Sequence, residues 1–254
     1  MKRITILALI ILCSAPALAE GEPRLGFFEK SLTPLELLGP EGANAVASVF
    51  AADETLTWQL LVPDSYDASK PAGVVVCVSW ADWGSGKKTW SSVLERRNLI
   101  WIGLVNSGDR KPINERMLKA ILARAVLDRD YKVDPERYYL FGYSGGAHIA
   151  AMLATSQPET FRGVIFHAQA LAWGKNQPPK IDLMRKNRYV FLAGSKDDDR
   201  RKIERVARSY EKAGAATKFI SVPKEDRRML HERYVDDALA FLDNDAANIS
   251  GAVE

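Results

Sequence analysis

Cysteine is scarce: the 254-residue chain has two, Cys13 and Cys77. Cys13 lies in an apolar leader, so the processed chain keeps one thiol, forms no internal disulfide and must draw its stability from a packed core. Histidine is limited to His148, His167 and His231, which leaves few places for a general base. Neither sign of charge dominates. The formal net charge is +3, and it falls to +1 when Lys2 and Arg3 leave with the leader. A near-neutral body gives no footing for nucleic acid or a strongly anionic surface. Internal repeats, heptad runs and low-complexity blocks are also missing. What is present is 47% hydrophobic content, enough for one sizeable core in a single domain.

The leader, MKRITILALIILCSAPALA, has Lys2 and Arg3 before an apolar run that ends in the small-x-small triplet Ala17-Leu18-Ala19. The run is short for a membrane span, and bulky Leu12 before Cys13 argues against a lipoprotein signal. We read a secretory signal over residues 1–19, cleaved after Ala19. The product is expected in the periplasm or outside the cell, with no lasting membrane anchor. Residues 20–53 are mixed and read as an arm lying on the body, residues 54–243 as the main domain, and residues 244–254 as a polar tail.

Within the main domain two textures alternate. TLTWQLLV, GVVVCVS, LIWIGLV, RYYLFG, GVIFHA, YVFLAG and KFISV are short, β-rich apolar runs. Between most of them lies helical periodicity. INERMLKAILARAVLDRDY sets Met117, Ile121, Ala125 and Leu127 towards one side, IERVARSYEKAG ends on a glycine stop, and YVDDALAFL closes the domain. Buried strands alternating with amphipathic helices predict an α/β fold, a mostly parallel sheet with helices on both faces. Cys77, inside GVVVCVSW, is expected to behave as a small buried apolar residue. Ligands of such sheets bind at the carboxyl ends of the strands.

One of those ends carries YYLFGYSGGAHIAAMLA. A strand runs into Gly142-Tyr143-Ser144-Gly145-Gly146 and then into an alanine-rich helical segment, the G-x-S-x-G pattern in its strand–turn–helix setting. The glycines let neighbouring backbone pass a tight turn, and the serine hydroxyl then projects beside the first amides of the helix. Those amides favour the negative charge of a tetrahedral oxyanion.

A serine needs a base. His148 lies one helical turn past Ser144 and should point away; His167 ends the next strand, where it lines a pocket or packs. His231, after the last strand and before the final helix, is the base by position and elimination. An orienting carboxylate comes from GSKDDDR, where Asp197 is preferred and Asp198 and Asp199 suit the cap of the following helix. The order Ser, Asp, His differs from that of other serine hydrolases.

The segment VDPERYYLFGYSGGAHIAAMLATSQPETFRGVIF resembles the nucleophile region of secreted α/β-hydrolase esterases, in particular polyhydroxybutyrate depolymerases, feruloyl esterases and related esterases. The resemblance spans roughly residues 55–243 and is strong from Val133 to Phe166, through a Val-Asp-Pro-x-Arg turn, the serine elbow and Gln157-Pro158-Glu159-Thr160-Phe161. It implies the α/β-hydrolase fold, with Ser144 as nucleophile, Asp197 as acid and His231 as base. HAQALAWGKNQPPKIDLMRK is the only place for a cap and is short. Two positions depart from the pattern. Relatives carry His-Gly where this chain has Ser79-Trp80 or Trp80-Ala81, and often glycine where Leu230 precedes His231.

VSWADWGSGKKTW, after GVVVC, looks like a phosphate loop but lacks two of its four requirements: Ala81 replaces the first glycine and Lys88 the metal-binding hydroxyl. In this architecture it instead faces the serine elbow. The second oxyanion amide is then Ala81, with Trp80 as the other choice, opposite the amide of Gly145. Trp80 and Trp83 either wall the acyl or alcohol pocket or pack the loop onto the body. Tyr143 and His167 complete the candidate substrate contacts with Trp83. Asp82 would oppose an oxyanion unless it turns outward or pairs with Lys87 or Lys88. The sequence thus points to a serine esterase acting on a small or polymeric ester with no metal or cofactor. A peptidase or acyltransferase using the same residues, or a silent binding protein, are the alternatives.

Overall fold

The computed structural model describes residues 22–84, 86, 88–173, 176–228 and 230–244. The proposed signal, the tail after Asn244 and Lys87 lie outside the described residues.

Eight strands form one sheet: β1 (Gly26–Leu32), β2 (Leu56–Val62), β3 (Ala72–Ser79), β4 (Leu99–Leu104), β5 (Val133–Tyr143), β6 (Gly163–His167), β7 (Arg188–Gly194) and β8 (Ala216–Val222). Their spatial order is β1-β2-β4-β3-β5-β6-β7-β8. β2 runs antiparallel to β1 and β4, and every pair from β4 through β8 is parallel. The helices are α1 (Pro34–Val46), α2 (Ser91–Arg97), α3 (Ile113–Asp128), α4 (Gly146–Ser156), α5 (Ile181–Met184), α6 (Arg200–Lys212) and α7 (Glu232–Leu242).

Every residue of β3 is buried, as expected for a strand covered on both faces. Val74, Val76 and Val78 point to one core with α3, α4 and α6, while Val75 and Cys77 join a second core with Trp90, Trp101 and α7. Burial pushes the Cys77 thiol pKa upward, consistent with an inert, core-packed side chain. Helix α6 stops at Gly214, whose φ of +88° supplies the left-handed turn after the helix.

Residues 22–53, read as an arm from sequence, contain β1 and α1. β1 pairs with β2 in register from Gly26↔Val62 to Leu32↔Leu56, and Phe28, Leu37, Val46 and Phe50 are buried. A capping box between Thr33 and Glu36 starts α1. The buried side of α3 is broader than the one read in sequence: Met117 and Leu127 are buried as expected, Ile121 and Ala125 are half-buried, and Ala120, Leu122, Ala123 and Val126 are buried together with Arg116 and Lys119. Periodicity counted both cations as solvent-facing.

The connection from β3 leads through α2 to β4 on one side, and α3 then returns the chain to β5 on the other. This reversal leaves a crevice at the carboxyl ends of β3 and β5, where the 80–84 loop and Ser144 emerge side by side.

Candidate active site

Ser144 has φ = 52°, in the left-handed region, directly between the end of β5 and α4. A serine there carries backbone strain that its surroundings must hold. The hold is visible. The Ser144 N–H donates to the His167 carbonyl at 2.9 Å, and the Ala147 N–H donates to the Ser144 carbonyl at 2.9 Å. A Cβ on Gly142 would lie 2.7 Å from Ala147 Cα, and one on Gly146 would lie 1.9 Å from the Val78 carbonyl oxygen. Strand, helix and β3 therefore close on the turn so tightly that only glycine fits beside the serine.

The third glycine brings in residues that motif reading missed. A Cβ on Gly145 would fall 2.1 Å from both carboxylate oxygens of Asp109. Asp109 takes Arg116 Nη1 at 3.0 Å, and Arg116 Nη2 donates to the Ser79 carbonyl at 2.8 Å. Burial lowers the Arg116 pKa, and the Asp109 carboxylate opposes that shift. The Asp109 N–H donates to the Trp80 carbonyl at 2.9 Å. One buried guanidinium thus ties the end of β3, the 106–109 loop and the elbow together. A carboxylate against the start of α4 suits its N-terminal amides, and Arg116 offsets its field at the serine.

In the 80–84 loop, the Trp80 N–H donates to the Tyr143 carbonyl at 3.2 Å, continuing the β3–β5 ladder. The Ala81 N–H donates to Ser79 Oγ at 3.2 Å. The two oxyanion candidates of this loop therefore differ: Trp80 is fixed by backbone, Ala81 by a hydroxyl that can rotate. Trp80 and Trp83 are 44% and 56% exposed and meet edge to face at 5.7 Å, so both rings keep a substantial part of their surface in solvent. Asp82 Oδ1 accepts the Gly108 N–H at 2.9 Å, and its other oxygen lies 3.8 Å from Arg110. Its partners come from the neighbouring loop, and Lys88 instead lies over the Phe27 ring at 5.6 Å.

Asp197 follows β7 with a side chain of 0% exposure. Its Oδ1 accepts from the Asp199 N–H at 2.9 Å and from Arg227 Nε at 3.0 Å, while Oδ2 is buried without a hydrogen-bond partner. Arg227 also reaches Asp199 at 2.9 Å. Burial works against its charge, but Asp197 and Asp199 outweigh that and raise its pKa. Asp199 is the residue that precedes α6, without a side-chain cap bond to the helix.

His231 is the N-cap of α7, exposed, with Nδ1 accepting the Arg233 N–H at 3.3 Å. Among the described residues no hydrogen bond joins it to Ser144 or Asp197. His148 is exposed on α4. His167 is fully buried, stacks on Tyr143 with ring centroids 5.0 Å apart, and meets the Arg228 carbonyl through Nε2 at 2.9 Å. Tyr143 OH donates to the Arg227 carbonyl at 2.9 Å. The two rings hold the Arg227 and Arg228 backbone over the ends of β5 and β6. A cleft of about 350 Å³ between Tyr143, Asp197, Arg227 and Arg228 opens there.

No family model matches the chain, and no curated protein matches it significantly. Solved structures do. A putative dipeptidyl aminopeptidase IV from Bacteroides ovatus aligns with TM-score 0.60 and 16% identity over 89% of this chain, which spans 36% of that protein's length. A mutant of the feruloyl esterase module from Clostridium thermocellum, complexed with sinapinate, aligns with TM-score 0.58 and 10% identity over 89% of this chain and 90% of the module. A butyrate-bound thermophilic esterase from Thermogutta terrifontis gives TM-score 0.55 and 15% identity over 78% and 91%. At these identities the likeness is one of fold. The chain has the α/β-hydrolase fold: a mostly parallel eight-stranded sheet between helices, with no large cap among the described residues.

Proposed function

We propose that the protein is an exported serine hydrolase that cleaves carboxylic esters through an acyl-enzyme. The observation that carries this reading is Ser144 itself. It is a serine held at φ = 52° between glycines that have no room for a side chain. Such strain persists where the surrounding structure over-determines it, which supports a working role for the Ser144 hydroxyl.

In the reaction Ser144 Oγ attacks the acyl carbon, His231 takes its proton, and Asp197 orients the imidazole and stabilises its charged form. The acid is already set for that task. Oδ1 is fixed by the Asp199 N–H and Arg227, and the unpartnered Oδ2 is the acceptor left for a histidine N–H. His231 must leave its capping bond to reach it. That bond is worth about 1 kcal/mol, whereas a hydrogen bond to a charged group contributes about 1.5–3 kcal/mol. The Gly145 amide, with Ala81 once Ser79 Oγ rotates away, receives the oxyanion. His231 then activates water to release the acid and restore Ser144.

The esterases among the structural neighbours favour an ester over a peptide substrate, because they match this chain over most of their own length. The leader, positively charged and ending in Ala17-Leu18-Ala19, supports export. A second reading, a silent binding protein on the same fold, draws on the His231 ring engaged by its own helix. Turnover of short-chain aryl esters and of peptide p-nitroanilides by the native protein and Ser144→Ala separates these. Ester turnover lost in the variant supports the proposal, preferential peptide turnover replaces the substrate class, and no turnover favours the binding reading.

A further inference from the structure

A second cleft, of about 220 Å³, lies on the other side of the 80–84 loop between α3 and the 54–56 segment. It is below the roughly 300–1,000 Å³ of sites for drug-sized ligands, so its occupant is small. Two of its buried lining residues, Ser107 and Lys119, carry side-chain donors. Ser107 is 2% exposed, and its Oγ has no hydrogen-bond partner. Lys119 is 5% exposed; its Nζ donates to the Val105 carbonyl and sits 5.5 Å from the Trp58 ring. Among the described residues no carboxylate lies within ion-pairing distance of that ammonium. A buried charge without a paired anion and a buried hydroxyl without an acceptor are each costly. One ligand carboxylate would satisfy both.

The other charged lining has the opposite character. Glu54 and Glu115 stand with Lys111, two acids to one base, while Asp82 is already engaged by the Gly108 N–H and lies 3.8 Å from Arg110. A simple anion would enter against that field, whereas a cation beside Glu54 and Glu115 relieves it. We propose that this cleft binds a small zwitterion of the α-amino acid type, with its carboxylate on Lys119 Nζ and Ser107 Oγ and its ammonium beside Glu54 and Glu115. Burial, with Lys111 adding to it, pushes the Lys119 pKa down to about 8, so the amine remains cationic at neutral pH. The site does not depend on catalysis at Ser144.

The test is calorimetric titration of the full processed chain with glycine, alanine and leucine, beside propionate and propylamine as half-ligands. Saturable binding of an amino acid, with both half-ligands about tenfold or more weaker, is expected from loss of one charge-assisted contact. Ser107→Ala and Lys119→Met should each weaken the amino acid at least about tenfold, and Glu54→Gln with Glu115→Gln should bring it towards propionate. Lys119→Met keeps volume and removes a buried charge, and its fold is checked by circular dichroism. No saturable amino-acid binding, equal binding of propionate, or binding indifferent to Ser107→Ala would overturn the proposal.

Discussion

Asp197→Asn removes one negative charge from the candidate site with almost no change in shape. The Asp199 N–H at 2.9 Å and Arg227 Nε at 3.0 Å are both donors, so they fix the amide carbonyl where Oδ1 stood. The NH2 group then takes the position of the buried Oδ2. It cannot accept the Nδ1–H of His231, and it favours the tautomer protonated on the nitrogen that should receive the serine proton. In a serine triad this error costs about 10⁴-fold in kcat, or about 5.5 kcal/mol of barrier. The cost to folding is far smaller. Arg227 is 44% exposed, so screening holds its pair with Asp197 to about 1 kcal/mol or less. Steady-state hydrolysis of a short-chain p-nitrophenyl ester, with thermal unfolding alongside, reads both numbers. Asp198→Asn is the control and should stay near native. An Asp197→Asn enzyme within about tenfold of native kcat, or an equal loss in Asp198→Asn, would refute the assignment of the acid.

Gly146→Ala places a Cβ 1.9 Å from the Val78 carbonyl oxygen, so backbone must move; a loss of about 1–3 kcal/mol in urea unfolding and loss of esterase activity are expected. Arg116→Met strands Asp109 against the elbow and frees the Ser79 carbonyl. It should lower kcat, and Asp109→Asn in the same background should restore part of it by removing the uncompensated charge. Lys119 also leaves a pH signature. Its pKa of about 8 in the folded protein lies below its unfolded value, so the unfolded chain binds the extra proton between pH 8 and 10.5. The penalty is complete below pH 8 and released as pH rises through that window. Native protein should therefore gain about 3 kcal/mol over Lys119→Met from pH 8 to 10.5 in denaturant titrations, and parallel curves would contradict the burial argument. Glu54, Glu115 and Lys111 act on the same amine, and comparison with the variant cancels what they contribute on their own.

Strands and elbow were legible because each rests on a local rule. Apolar β3 and the Tyr138–Phe141 half of β5 read as buried strands, and Gly142-Tyr143-Ser144-Gly145-Gly146 sits where β5 meets α4. The place of the 80–84 loop beside the elbow required the resemblance. Asp109 and Arg116 escaped reading because their roles exist only through contacts with Gly145 and Ser79, which are distant along the chain. Arg116 and Lys119 follow a helical period that sequence alone assigns to solvent, and only the packing of α3 against the sheet reverses it. Arg227 reaches Asp197 only through the turn after β8, which no local sequence rule encodes. Segment 22–53 was obscure because β1 alternates weakly and draws its identity from pairing with β2.

The central claim is that Ser144 is an activated nucleophile. Labelling with a fluorophosphonate probe, followed by mass spectrometry of the digested protein, tests it most directly. The account predicts a single phosphonylated peptide carrying Ser144, with labelling lost in Ser144→Ala and strongly slowed in His231→Ala. An unlabelled native protein, or labelling that persists in Ser144→Ala, would contradict it.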